Sequence, residues 1–388
     1  MGTNDTIIPD SHCGFTIVLV LIAIVASFLN VLDALPLLND KFNFPDETNI
    51  LYGVSSDNLP LGVFSFTYLS WWRPLGFGLP MLISWLFGIS ALGFHIIALC
   101  IHFAVGAALW WFARRLFSTQ IAWLSCTFYM LTLSGLALVG FAINSFQDGL
   151  FTCLLLLAWG FMFPATKKQD AAPKPYLSSA ILLLIAALCK DSWFGVLPVI
   201  LLTDWLLVRK SSLKDRFKRL APFLILIPVP ILRFVFADAA EFQNVMYSYY
   251  RVGCRFVNLL HGLVASFLPF INLGPHQKWY YLLVIPVLAI VVTSLYSGFN
   301  RARIILITLM FGSILLILFP SFFNIYWINI RITSLATFSS ILLSLALIAI
   351  AKLLRNAYLV SFLVILVAFA FYFFMSDIRS EFIHFITG

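Results

Sequence analysis

Long apolar runs, repeated from one end of the chain to the other, limit this sequence more than any other feature. Runs of spanning length fall at about 14–37, 93–117, 119–141, 147–164, 176–189, 192–208, 220–237, 278–297, 303–322, 332–352 and 357–375. Inside a bilayer no water satisfies the backbone, so only helices and closed barrels cross it. Barrel strands alternate polar and apolar residues, whereas these runs are apolar all round. Of the 388 residues, 62% are hydrophobic and only 10% are charged, against roughly a quarter charged in a soluble chain. The expected fold is therefore an all-α polytopic membrane protein with about eleven transmembrane helices. The first run is read as a retained span, because no positive segment precedes it and it is long for a cleaved signal.

The run 75–92 is rich in Gly and Pro and follows a long loop, and it is read as re-entrant or interfacial rather than as a span. Charge placement supports leaving it out. With the N-terminus inside, the inner loops hold Arg114 and Arg115, then Lys167, Lys168 and Lys174. They also hold the basic run Arg209 to Arg219, then Arg301 and Arg303, and finally Lys352 and Arg355. This is the asymmetry of the positive-inside rule. Two outer segments are long, about 38–75 and 238–278. Their aromatic residues, among them Trp71, Trp72, Tyr249 and Trp279, suit helices lying at headgroup level. The six cysteines are scattered singly with no CxxC pair, which implies neither a zinc site nor a disulfide framework. The net charge of +8 carries no run interleaving basic and aromatic residues on a polar face, so no nucleic-acid partner is expected.

The uncommon polar residues collect on the outer side. Lys190 and Asp191 interrupt the apolar stretch 176–208, where a charge in hydrocarbon costs about 2.5–3.5 kcal/mol even on the lenient insertion scale. The stretch reads as a helical hairpin with a cationic tip facing an anion. The first outer loop adds Asp46, Glu47 and Arg73, and the turn before the fourth span adds Asn144, Gln147 and Asp148. The second long loop adds Arg251, Arg255 and His261, and the turn before the tenth span adds Asn324, Asn329 and Arg331. His95 and His102, seven residues apart, share one helix face. Each has a plainer reading as well. Lys190–Asp191 also suits an ion pair between helices, Asp46–Glu47 a solvated loop, and Asp148 a helix N-cap. Arg251, Arg255 and Arg331 also suit headgroup anchors, and the two histidines packed polar groups. No HExxH or DxD occurs, so no metal site is expected. A cationic pocket beside carboxylates in a bilayer suits a lipid phosphate and a polar acceptor.

Five stretches carry a family resemblance. They are PDETNILYG, WWRPLGFGLPMLISWLFGISALGFHIIALCIH, NSFQDGLFTCLLLLAW, AALCKDSWFGVLPVILLTDWLL and INIRITSLATFSSILLSLAL. In order and spacing, over about residues 14 to 350, the chain resembles the polyprenyl-phosphate-sugar-dependent glycosyltransferases of the GT-C fold. These include protein O-mannosyltransferases and aminoarabinose transferases. It departs from them in having Ile-Thr after Arg331 where a Tyr-rich segment is common, and in having no tetratricopeptide repeats. The resemblance implies one transmembrane domain over 1–388, in which 1–237 with outer loop 38–75 is the catalytic module and 238–388 supplies the C-terminal helices with outer loop 238–278.

It also implies an inverting, metal-independent transfer from a polyprenyl-phosphate monosaccharide to a hydroxyl of a glycan, lipid or protein. The active site would face outward from an inner (plasma) membrane, and no cofactor beyond the lipid-linked donor is implied. Asp46 falls on the family's catalytic acid and Asp148 on its second acid. The phosphate-contacting bases fall on Lys190 and Arg331. Glu47, Arg73, His95, Asp191 and Arg255 complete the expected substrate-binding set. A transporter or flippase for a lipid-linked or anionic substrate is the alternative, since it too places charges in membrane cavities. It would be expected to show an internal repeat, and no second copy of the Lys-Asp hairpin occurs.

Overall fold

Helices form along the apolar runs, and the polar interruptions decide where they break. A computed structural model describes residues 13–39, 41–42, 51, 67–68, 71–167, 174–208, 211–236, 263, 280–318, 333–354 and 366. In chain order α1 is Cys13–Ala34, α2 is Gly78–Phe87, α3 is Ala91–Leu116, α4 is Thr119–Met130 and α5 is Leu133–Gly140. Next come α6 at Leu150–Lys167, α7 at Lys174–Cys189, α8 at Trp193–Leu207, α9 at Leu213–Leu220 and α10 at Pro228–Phe236. Then follow α11 at Tyr280–Ser294, α12 at Arg301–Leu318 and α13 at Thr333–Leu354. Apart from a two-residue antiparallel pairing of Thr67–Tyr68 with Trp71–Trp72, the described residues are helices and connections.

Several boundaries have a visible cause. Ser90 and Ser118 cap α3 and α4, each hydroxyl accepting from the backbone N–H three residues on. The expected span 119–141 is broken at Leu131–Thr132, where the Thr132 hydroxyl donates to the Tyr129 carbonyl at 2.7 Å. The expected span 220–237 divides into a 3-10 stretch, Ala221–Leu226, and α10. Pro222, Pro228 and Pro230 supply no N–H to a continuous helix there. The ten residues of α2 rise about 15 Å, half the hydrocarbon thickness.

Four stretches are long and apolar enough to cross a bilayer: Thr16–Leu37, Ala91–Leu116, Ala142–Phe163 and Thr333–Leu353. Gly78–Phe87, Lys174–Cys189, Trp193–Leu207 and Ile285–Ser294 are apolar but shorter. Eleven crossings are therefore not established by helix length among the described residues. Of the expected run 357–375 only Leu366 is described, and most of both long outer loops lies outside the described residues.

The helices pack as an all-α membrane bundle. Leu21, Ile24 and Phe28 of α1 remain exposed, a lipid-facing stripe. The interior is aromatic: Phe112 meets Trp159 at 5.2 Å between centroids, and Phe338 edge-on at 88°. Small hydroxyls join the helices, with Ser125 of α4 donating to Ser344 of α13 at 3.2 Å and Thr152 of α6 bonding Ser334 at 2.8 Å. α7 packs on α6 and α8 on α12, so the two hairpin arms pack chiefly against other helices.

The basic residues expected on the inner side come together at one end of this bundle. Arg115 donates to the Gly160 carbonyl at 3.2 Å, Arg303 to the Leu116 carbonyl and Lys352 to the Ser297 carbonyl. At the same end Asp204, fully buried near the C-terminus of α8, receives the Tyr176 hydroxyl at 2.7 Å. It also takes Arg219 at 3.0 and 3.1 Å, and Arg216 at 3.4 Å. Hydrogen bonds to Asp204 raise the Arg219 guanidinium above the ordinary arginine value, against the opposing effect of burial.

Candidate functional site

At the opposite end of the bundle four of the charges singled out in the sequence meet: Arg73, Asp148, Lys190 and Asp191. Four pieces of chain build it: the turn 73–77, the turn 144–149, the hairpin tip 190–192 and α10. The first turn is fixed to the end of α7 by Leu75 N–H donating to the Leu188 carbonyl at 3.1 Å. Gly76 allows this approach, because a Cβ there would lie 2.5 Å from the Cys189 carbonyl oxygen and 2.9 Å from Gln147 Cγ. The second turn is a π-type turn, Ser145–Gly149, opening α6. Such single-turn insertions recur at functional sites because they re-aim side chains. It presents Gln147 and Asp148 on the inward side, both buried. The hairpin tip is a tight turn in which Phe194 N–H donates to the Asp191 carbonyl at 3.2 Å.

Asp191 is the hub. Arg73 donates to its Oδ2 through Nε at 2.8 Å and Nη2 at 2.6 Å. Arg233 of α10 forms an ion pair with the other oxygen, Oδ1, and donates to the Ala187 carbonyl at 3.0 Å. Arg73 also donates to Gln147 Oε1, whose amide in turn donates to Asn144 at 3.3 Å. Beside this, Lys190 forms an ion pair with Asp148. Arg73 lies over the Phe77 ring at 5.8 Å and Arg233 over Phe194 at 5.6 Å. Trp72 stacks on Phe236 at 5.5 Å, tying the first turn to α10.

Access differs between the two pairs. The Lys190 and Asp148 side chains are 7% and 6% exposed, whereas Arg73, Arg233 and Asp191 stand at 14%, 13% and 18%. Among the described residues three cations and two carboxylates meet here. A pair of guanidiniums converging on one carboxylate is also the geometry that holds a phosphate, since both anions accept forked N–H donors.

The expected site residues fall into three sets. Arg73, Asp148, Lys190 and Asp191 are brought together. His95 lies apart from these ion pairs. It is buried on α3, with one ring nitrogen 2.7 Å from the Val139 carbonyl and the other 3.1 Å from the Lys41 carbonyl, and it ties the segment after α1 to the bundle. Asp46, Glu47, Arg255 and Arg331 lie outside the described residues. The N-cap reading of Asp148 gives way to a place inside the π-type turn, paired with Lys190. Arg233 is not among the residues singled out from the sequence. A cation in an otherwise apolar run was its signal, the same one that marks Lys190. Among the described residues no three of His, Cys, Asp and Glu converge as a metal-binding group would require.

Comparison with known proteins finds a family match over part of the chain. Residues 74–234 match the family model described as dolichyl-phosphate-mannose-protein mannosyltransferase, which is of GT-C type. The match covers less than half of the chain, beginning one residue after Arg73 and ending one residue after Arg233. Neither the curated proteins nor the solved structures give a match. The matched segment is thus similar in sequence to a family of membrane glycosyltransferases of the GT-C kind.

Proposed function

We propose that this protein moves a monosaccharide from a polyprenyl-phosphate donor to an acceptor hydroxyl, at the end of the bundle where Arg73, Lys190, Asp191 and Arg233 meet. That end would face the extracytoplasmic side of a bacterial inner membrane, with the basic end inside. The observation behind this reading is the shared carboxylate. Arg73 and Arg233, 160 residues apart in sequence, both converge on Asp191; Asp191 and Arg233 lie in the segment that matches the family, and Arg73 immediately precedes it.

In the reaction, the acceptor oxygen forms its bond to the anomeric carbon as the bond from that carbon to the phosphate oxygen breaks. The acceptor proton passes to Asp46 as general base. The electron pair leaves on the polyprenyl phosphate, and the anomeric centre inverts. Arg73 and Arg233, the more accessible cations, take the developing phosphate charge, with Arg331 as a further phosphate contact. Such preorganised donors are worth roughly 2.7–4 kcal/mol each in comparable sites. Lys190, held by Asp148, adds positive potential from beneath. Glu47 and Arg255 orient the acceptor.

The test is incubation of the purified protein with radiolabelled polyprenyl-phosphate sugars and candidate acceptors, following transfer and donor consumption. Asp46→Asn is expected to bind donor yet lose transfer by orders of magnitude. Arg233→Gln is expected to lose about 10²–10³-fold in turnover. Wild-type turnover in both variants, or no donor consumption by the wild type, would overturn the reading.

A further inference from the structure

The helix α9, LKDRFKRL, has its arginines on the wrong face for a solvated basic helix. Arg216 and Arg219 are buried against Asp204, and Arg216 also lies 4.6 Å over the Trp205 ring. What the helix shows outward includes two large apolar side chains beside the charged Lys214, Asp215 and Lys218: Leu213 is 61% exposed and Phe217 74%. These two stand four residues apart, on one face. Lys214 and Lys218 follow the same spacing about 100° further round the helix, and both are exposed. The apolar surface continues past the helix through Leu224 and Ile227, and Trp205 at the adjoining end of α8 is half-exposed. Ser212 caps the helix, accepting from Asp215 N–H at 3.1 Å, so its first turn is fixed.

An exposed Leu-Phe stripe flanked by lysines is the pattern of a helix lying in the headgroup layer, apolar face in the acyl boundary and ammonium groups reaching up to phosphate. α9 also sits at the end of the bundle where the basic residues gather, opposite the ion-pair cluster. We infer that α9 is a docking surface for anionic phospholipid in the leaflet at that end. Leu213 and Phe217 insert below the headgroups, and Lys214 and Lys218 select headgroups that carry net negative charge. The buried arginines do not take part in this selection. Asp204 occupies them and uses them to lay the helix down at a fixed height. The lipid contact therefore falls to two lysines, whose attraction to an acidic leaflet is screened by salt.

The experiment uses the full-length protein in two steps. In vesicles of phosphatidylcholine and phosphatidylglycerol, the tryptophan added by Phe217→Trp contributes emission above the wild type. Acyl-brominated phosphatidylcholine is expected to quench that added emission at least twofold, and an unquenched signal overturns the insertion. In native mass spectrometry from mixed lipids, the wild type is expected to retain phosphatidylglycerol several-fold over phosphatidylcholine. Lys214→Gln with Lys218→Gln is expected to lower that enrichment at least threefold at low salt while leaving the thermal transition in place. Unchanged enrichment overturns the headgroup assignment. A dimer that dissociates on Phe217→Ala would instead make a second copy of the chain the occupant, and would also overturn it. None of the three variants touches the ion-pair cluster, so failure here is separable from failure of the transfer reaction.

Discussion

Asp191 and Asp204 are alike in chemistry, each a carboxylate shared by two arginines, but they differ in exposure and so in what their loss should do. Asp204 is fully buried. Removing its charge leaves Arg216 and Arg219 uncompensated, and breaking a buried pair from one side costs about 3–5 kcal/mol. Asp204→Asn is therefore expected to lower the unfolding temperature of the detergent-solubilised protein by many degrees, while the fraction that stays folded keeps its turnover. Asp191→Asn is expected to do the reverse, with a small thermal loss and transfer reduced more than tenfold, because Arg73 and Arg233 then lose their common seat. Equal thermal losses would show that the two sites do the same job. Lys190, Asp191, Asp148 and Arg73 were legible in sequence as charges where charge is costly. Their pairing was not, since Arg73 reaches Asp191 across 118 residues and no local pattern records that.

At the scale of elements, the site depends on a close approach that a glycine permits. Gly76→Ala would drive a methyl into the Cys189 carbonyl and Gln147. Main chain cannot step aside as a flexible side-chain tip can, and overpacking of this kind costs about 1–3 kcal/mol. The expected outcome is a lowered thermal transition together with a loss of transfer, as the turn carrying Arg73 is pushed off α7. Wild-type behaviour on both measures would mean that the turn repacks freely. The helices were largely readable from hydropathy, because α1, α3, α6 and α13 follow apolar runs closely. The breaks were not. The π-type turn at Ser145–Gly149, the interruption at Leu131–Thr132 and the 3-10 stretch Ala221–Leu226 depend on local hydrogen bonding and on prolines that hydropathy does not register.

For the whole molecule, the two ends differ in their charges, and a charge asymmetry was visible in the sequence before any geometry. Lys and Arg residues far apart in sequence, such as Arg115, Arg219, Arg303 and Lys352, do gather at one end. Which side of the membrane that end faces can be tested with Ser211→Cys, which lies beside α9. An impermeant maleimide is expected to add one label, relative to wild type, in inside-out vesicles and none in intact spheroplasts; the opposite result would invert the whole arrangement. One consequence of the fold concerns the segment 211–236. It is riveted at both ends of the second hairpin arm, by Arg216 and Arg219 at Asp204 within α8 and by Arg233 at Asp191 in the turn that leads into it. The two carboxylates are thirteen positions apart, about 20 Å along a helix. The segment therefore works as a caliper with α8 as its scale. Adding one alanine within the 3-10 stretch Ala221–Leu226 would swing Arg233 round by about 120° and unhook the jaw at Asp191 while the other stayed shut.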